Sequence, residues 1–220
     1  MPQSLLQGPE VAPPSGVVKH LVIFLHGVGA DGGDLIGLSR ILAPALPDTQ
    51  FLSPNAPERF DMAPFGHQWF SLMERSLARM TEGVKTAAPI LDAYIDAQRD
   101  RFRLKDSDIA LVGFSQGTMT ALYTALRRGK PLAGVVGFSG ALIGAETLAA
   151  EARSKFPVCL IHGEADEVVP FGALAHAETA LRGHGVEVTA HPRPGIGHGI
   201  DEDGLTVAQA FLQRVFGLNG

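Results

Sequence analysis

The chain has 220 residues, of which 45% are hydrophobic and 19% are charged, and its formal net charge is −5. This length and composition predict one folded domain and exclude a disordered chain or a large two-domain enzyme. The negative charge argues against nucleic-acid binding, and the lack of a long apolar run argues against stable membrane anchoring.

The N-terminal segment contains four prolines but neither the cationic start nor the apolar stretch of a secretory signal. We interpret residues 1–16 as a flexible arm before a domain at 17–220. The only cysteine, Cys159, lies in an apolar run and has no partner for an internal disulfide. A buried, reduced thiol is the expected outcome, and it favours a cytoplasmic protein.

Apolar runs rich in β-branched residues alternate with helical patterns along the chain. The predicted strands are 17–25, 51–53, 109–114, 134–138, 157–161 and 186–190. The predicted helices are at about 34–46, 84–102, 116–128, 171–182 and 205–215, and Pro89 should start or kink the second of them. This alternation predicts one doubly wound α/β domain, with a mostly parallel sheet and helices on both faces.

Residues 55–79 do not follow this alternation, because prolines and a glycine interrupt a segment rich in aromatic residues. Long irregular loops in compact domains are often functional. Its aromatic side chains either pack in the core or line an apolar pocket. They are Phe60, Phe65, Trp69 and Phe70.

A glycine-rich turn, Gly27-Val28-Gly29-Ala30-Asp31-Gly32, follows the first predicted strand and has the spacing of a dinucleotide-binding loop. Asp31 would face the pyrophosphate, and the next strand ends in Leu52-Ser53-Pro54-Asn55 without the acidic residue that binds ribose. The sequence therefore argues against a nucleotide site.

A second motif, Gly113-Phe114-Ser115-Gln116-Gly117, lies between a predicted strand and a predicted helix. A serine at such a turn has a strained backbone that exposes its hydroxyl, and the flanking glycines avoid collisions with neighbouring elements. Ser115 is therefore the candidate nucleophile.

A serine nucleophile needs a histidine base and an orienting carboxylate, which in this fold follow it in the order acid, then histidine. Three acids follow a later strand, Glu164, Asp166 and Glu167, and Asp166 is favoured because Val168-Val169-Pro170 resembles a pocket rim. His198 is favoured as base over His184 and His191, because the glycines around it predict a mobile loop that reaches Ser115.

Two backbone N–H groups should stabilise the oxyanion. One is that of Gln116, the residue after the nucleophile, and the other is expected from Val28 in the glycine-rich turn. His26 precedes the nucleophile, so a structural role is the expected one. Ser139 also ends a predicted strand but lacks the surrounding motif, and we interpret it as structural.

Several motifs together resemble the phospholipase/carboxylesterase family of α/β-hydrolases, which includes small bacterial carboxylesterases and acyl-protein thioesterases. The resemblance spans about residues 17–216 and rests on Leu25–Gly32, Ser53–Pro57, Trp69-Phe70, Gly113–Gly117, His162–Asp166 and Gly197-His198. It implies Ser115, Asp166 and His198 as the triad and Val28 and Gln116 as oxyanion donors. It also implies that Trp69 and nearby aromatics border the acyl pocket. Thr118 and Ser71 depart from common family residues and leave the substrate open.

The resulting hypothesis is a single-domain α/β-hydrolase without a separate cap domain that hydrolyses carboxylic esters of small to medium acyl chains. The expected substrate-binding residues are Phe65, Trp69, Phe70 and Val169. The mechanism requires no cofactor and no metal, and the ester is the expected small-molecule partner. A thioesterase or lysophospholipase is the enzymatic alternative, and a catalytically silent binding protein is the alternative from another class. Family likeness makes a homodimer a further expectation.

Overall fold

A computed structural model describes residues 6–218. The strands are β1 (Glu10–Val11), β2 (His20–Leu25), β3 (Thr49–Leu52), β4 (Glu58–Arg59), β5 (His67–Gln68), β6 (Ile109–Phe114), β7 (Gly134–Phe138), β8 (Val158–Gly163) and β9 (Val188–Arg193). The helices are α1 (Gly32–Ile36), α2 (Ser39–Leu42), α3 (Leu77–Phe102), α4 (Gln116–Arg127), α5 (Leu148–Glu151), α6 (Gly172–Gly183) and α7 (Glu202–Val215).

Seven strands form the central sheet in the order β1-β3-β2-β6-β7-β8-β9, and all neighbours are parallel except β1 and β3. Along β6, Leu111 points into the core beneath α3, α4 and α6, whereas Val112 points into the core beneath α1 and α7. Burial on both faces explains why the strand is a continuous apolar run. The predicted α/β class, with a mostly parallel sheet and helices on both faces, is confirmed.

The segment predicted as a flexible arm is instead attached to the sheet in its described part, which begins at residue 6. Residues 1–5 lie outside the described part of the chain. Its strand β1 pairs antiparallel with β3, and Ser53 donates to the carbonyl of Pro9 at 3.0 Å. Gly8 lies so close to Ser53 that a Cβ atom would come within 2.1 Å of its carbonyl oxygen. Residues Glu10–Val11 of this segment are therefore an edge strand, and the glycine allows the two backbones to meet.

Two predicted helices also differ in their bounds. The segment predicted as one helix at 34–46 forms α1, α2 and a 3-10 turn at Ala43–Ala45, because Gly37 and Pro44 interrupt it. Helix α3 begins at Leu77 after the N-cap Ser76, so Pro89 lies within the helix and does not start it.

Arg128, directly after α4, is buried among carboxylates. Its guanidinium forms ion pairs with Asp92 and Asp96 of α3 and with Asp106. Burial by itself would raise the pKa of Asp106, but the hydrogen bond and positive charge of Arg128 outweigh it and hold that pKa below its usual value. The cluster therefore joins α3 and α4 by a pairing that depends on ionised carboxylates.

We expect Arg128→Met to lower the free energy of unfolding by about 3–5 kcal/mol near neutral pH, because Asp106 stays buried without its main partner. The folded pKa of Asp106 is below its unfolded value. Its contribution is thus complete above about pH 4 and is lost as the pH falls through the folded pKa. Urea unfolding should therefore show a smaller difference between variant and wild type near pH 3. Arg40→Met, at an exposed position on α2, is the control and should change stability by less than about 0.5 kcal/mol.

The loop predicted to be irregular contains a small hairpin. Strands β4 and β5 pair antiparallel, with Glu58 opposite Gln68 and Arg59 opposite His67. The hairpin is fastened to the glycine-rich turn after β2, because Gly29 donates to the His67 carbonyl at 2.8 Å and His67 donates to the Ala30 carbonyl at 2.7 Å. The loop is therefore attached to the carboxyl-end edge of the sheet.

Candidate active site

Ser115 lies in a sharp turn between β6 and α4. Its backbone has φ 52° and ψ −116°, a conformation that side-chain-bearing residues rarely adopt. A Cβ atom on Gly113 would lie 2.5 Å from the Thr118 nitrogen, and one on Gly117 would lie 1.9 Å from the Leu25 carbonyl oxygen. The expectation that the flanking glycines avoid collisions with the helix and the neighbouring strand is confirmed.

Asp166 and His198 come together at the same edge of the sheet. His198 Nδ1 lies 2.8 Å from Asp166 Oδ2, and Asp166 Oδ1 accepts hydrogen bonds from the N–H groups of Val168 and Val169, both at 2.9 Å. Burial by itself would raise the pKa of Asp166, but these hydrogen bonds outweigh it and hold the pKa below its usual value. Asp166 is therefore a carboxylate that fixes the imidazole with its proton on Nδ1.

The competing candidates lie elsewhere. Glu164 and Glu167 are exposed. His191 is on β9 and His184 is the C-cap residue after α6, and neither is a partner of the Asp166 carboxylate in the described part of the chain. The structure thus pairs the acid and the histidine that the sequence favoured.

The loop that carries His198 is more firmly held than its glycines suggest. Ala165 donates to the Ile196 carbonyl at 2.9 Å. Gly163 lets the loop pack closely, because a Cβ atom there would come within 2.2 Å of the Ile196 oxygen. The ring of Phe114 lies 4.9 Å from that of His198, centroid to centroid, which places the imidazole beside the residue before Ser115. The loop was expected to be mobile, but these contacts hold it against β8.

The glycine-rich turn lies against the serine. Gly27 is so close that a Cβ atom would be 3.5 Å from the Ser115 Cβ. The turn closes with a hydrogen bond from Ala30 to the Gly27 carbonyl, and Gly29 has φ +81°, which favours glycine. Within residues 6–218, the N–H groups of Val28 and Gln116 donate to no protein acceptor. Both are therefore available to a bound oxygen.

His26 has the structural role expected of it. Its Nδ1 donates to the Gly27 carbonyl at 2.7 Å, and its Nε2 accepts from the Ala56 N–H at 2.9 Å. Burial lowers its pKa. Both ring nitrogens are engaged, so His26 holds the turn and is not free to act as a base.

Comparisons with known proteins identify the family and the fold of the chain. A crystal structure of esterase PE8 superposes with a TM-score of 0.93 and 42% identity, over 96% of this chain and 100% of that one. Acyl-protein thioesterase 1 of Gibberella zeae is 28% identical over 94% of each chain. Esterase YpfH of Escherichia coli is 28% identical over 92% of this chain and 86% of its own. Residues 6–216 match the phospholipase/carboxylesterase family.

The chain belongs to this family. It has the α/β-hydrolase fold and is a carboxylic ester hydrolase, with an esterase or thioesterase role. No helix within residues 6–218 is both long and apolar enough to cross a membrane. In the same part of the chain, no three His, Cys, Asp or Glu side chains are arranged to hold a metal ion.

The residues expected to bind the acyl group differ in exposure. Trp69 and Phe70 are each 1% exposed and belong to the core, whereas Phe65 is 71% exposed. Phe70 also lines a cavity of about 360 Å³ beside α3. Val169 is buried next to Asp166 and donates to its carboxylate. Their role in substrate binding stays a prediction, and Trp69 and Val169 also hold the site together.

Thr118, one of the departures from common family residues, is closely packed beneath the nucleophile turn. Its Oγ1 donates to the Phe138 carbonyl at 2.9 Å. A Cβ atom on Gly137 or Gly140 would lie 2.5 Å or 2.4 Å from a Thr118 side-chain atom. The threonine side chain thus occupies space that these two glycines leave open beneath the nucleophile.

Three residues around the site have side-chain contacts that the sequence did not predict. His162 is buried, with Nε2 at 2.9 Å from the Val169 carbonyl and 3.2 Å from Asp166 Oδ2. Ser139 has φ 47° and its Oγ donates to the Gly199 carbonyl at 3.3 Å. The third is Gln116, whose side chain is buried against the loop before α3. The contacts of Ser139 and Gln116 join segments that are distant in sequence, so no local pattern marks them, whereas His162 contacts residues four and seven positions further along the chain.

Proposed function

We propose that the protein is a serine carboxylesterase that uses Ser115 as nucleophile, His198 as base and Asp166 as the orienting acid. The observation that carries the proposal is the 2.8 Å hydrogen bond between His198 Nδ1 and the Asp166 carboxylate. With its proton held on Nδ1, the imidazole keeps Nε2 free to accept the proton of the serine hydroxyl.

The reaction proceeds through an acyl-enzyme. Ser115 Oγ attacks the ester carbonyl carbon as His198 takes its proton, and the carbonyl oxygen becomes an oxyanion that accepts from the N–H groups of Val28 and Gln116. Collapse of this intermediate breaks the bond to the leaving alcohol, which receives the proton from His198. Water, deprotonated by His198, then attacks the acyl-enzyme, and Ser115 recovers its proton as the acid departs.

The proposed substrates are carboxylic esters of small to medium acyl chains. Two features support this choice. Esterase PE8 shares more residues with this chain than the thioesterase of Gibberella zeae does. In addition, the segment 55–76 after β3 contains only the short hairpin of β4 and β5, so it is too small to form a cap domain over a large substrate. A thioesterase or lysophospholipase activity is the alternative within the same mechanism.

A paired substrate series tests this proposal. kcat/KM is measured for p-nitrophenyl esters and for thioesters carrying the same acyl groups, from acetyl to palmitoyl. We expect esters to exceed thioesters at each length and the maximum to fall at short or medium chains. A maximum at palmitoyl thioester would favour the thioesterase alternative. A fluorophosphonate probe, which labels an activated serine, should label the wild type but not Ser115→Ala; an unlabelled wild type would favour a silent binding protein.

A further inference from the structure

We infer that residues 66–70, the strap, hold the two oxyanion donors in position, and that the side chain of Gln116 is the positioning group that couples the strap to the nucleophile turn. This inference rests on the proposed function, because it assigns a role to the side chain of a residue whose N–H is proposed to bind the oxyanion.

One end of the strap is bound by the Gln116 side chain, which is fully buried. Gln116 Oε1 accepts from the Trp69 N–H at 2.9 Å, and its Nε2 donates to the Phe70 carbonyl at 2.7 Å. Both polar ends of the amide are therefore hydrogen-bonded to the backbone of two successive residues. Such paired, buried hydrogen bonds fix a side chain and its backbone more firmly than one bond would.

The rest of the strap binds the glycine-rich turn, where the other proposed donor lies. His67 exchanges two backbone hydrogen bonds with this turn, and Trp69 Nε1 donates to the His26 carbonyl at 3.0 Å. Gly66 has φ +82°, and a Cβ atom there would be 2.1 Å from the Gly29 carbonyl oxygen. Only glycine permits this approach.

The strap thus bridges two segments that are distant in sequence, the turn at 26–30 and the first residue of α4. The N–H groups of Val28 and Gln116 belong to these two segments. Donors to an oxyanion act only when they are held at hydrogen-bond distance from the position that the oxyanion takes in the transition state. The strap sets the separation of the donors, and the loop at 55–76 is consequently part of the catalytic framework.

The test is Gln116→Met, which keeps the backbone N–H and a similar volume but removes both hydrogen bonds to the strap. We expect kcat to fall about 10²-fold, the size of effect that a small misplacement of catalytic groups produces, with KM nearly unchanged. Affinity for a trifluoromethyl ketone, which forms an oxyanion adduct with the serine, should weaken in parallel. Trp69 is the only tryptophan, so its fluorescence reports whether the strap has moved.

Thr120→Val is the matched control. Thr120 is equally buried on the same helix, and its Oγ1 donates to the Gln116 carbonyl at 3.0 Å; within residues 6–218 its side chain forms no hydrogen bond to the strap. It should keep wild-type kcat even though it loses a buried hydrogen bond. A folded Gln116→Met enzyme with wild-type kcat and inhibitor affinity, but a lower melting temperature, would overturn the inference and reveal a purely structural role.

Two further variants complete the test. If Gln116→Met does not fold, Trp69→Phe takes its place, because it removes the hydrogen bond to the His26 carbonyl and leaves a smaller aromatic ring in the core; a wild-type kcat in this variant would also overturn the inference. Ser115→Ala distinguishes a failure of the inference about the strap from a failure of the proposed function. An inactive Ser115→Ala beside a fully active Gln116→Met refutes the strap alone, whereas an active Ser115→Ala refutes the proposed function itself.

Discussion

Purified Ser115→Ala should hydrolyse a short p-nitrophenyl ester about 10⁴- to 10⁶-fold more slowly than the wild type, the loss typical of a missing serine nucleophile. The substitution removes only Oγ, the atom that forms the acyl-enzyme. The oxyanion donors and the His198–Asp166 pair remain, so the KM for the ester should change little. The measurement is steady-state release of p-nitrophenol, with circular dichroism to verify folding.

Ser39→Ala is a suitable control for this experiment. Ser39 is buried on α2, and its Oγ donates to the Ile36 carbonyl. The Ser39→Ala enzyme therefore loses a buried serine hydroxyl away from the site and should retain full activity. An unchanged rate in folded Ser115→Ala would refute the assignment of the nucleophile.

The second large effect is expected for Asp166→Asn, which should lower kcat about 10⁴-fold. The N–H groups of Val168 and Val169 donate to Oδ1, so the asparagine oxygen should take that place and its NH₂ group should face His198. The imidazole must then accept at Nδ1 and carry its proton on Nε2. In that tautomer it cannot take the proton of Ser115.

Exposed acids of the same loop provide the control for charge. Glu167→Gln removes one negative charge close to Asp166 but leaves the histidine contact intact, so kcat should stay within about twofold of the wild type. An equal fall in kcat in Asp166→Asn and Glu167→Gln would mean that the total negative charge of the loop, and not the hydrogen bond to His198, supports activity. The pH dependence of kcat should be compared for all three enzymes.

The central sheet and the serine turn could be predicted from sequence because their signals are local. Strand β6 is a continuous apolar run, and Gly113 within it and Gly117 after it lie on either side of Ser115. Strand β1 and the β4–β5 hairpin gave no such signal. They contain two residues per strand, and their pairing depends on partners far along the chain or on loop geometry.

The candidate site could be predicted to a similar extent. The order of Ser115, Asp166 and His198, which follow strands β6, β8 and β9, indicated the triad. The side-chain contacts of Gln116 could not be predicted, because they are made to backbone groups at positions 69 and 70 that any residue would supply. Aromatic composition was ambiguous for Trp69, since both a core and a pocket require large apolar side chains.

The edge strands of the sheet bear on how the protein associates. A free edge offers unpaired N–H and C=O groups to another chain and promotes aggregation. Here one edge is covered by β1, and the other, β9, contains Pro192, which has no N–H to donate. Deletion of residues 1–12 would uncover β3 and should make the protein prone to intermolecular strand pairing. Any homodimer of the intact chain is therefore expected to form through helix or loop surfaces and not by continuation of the sheet.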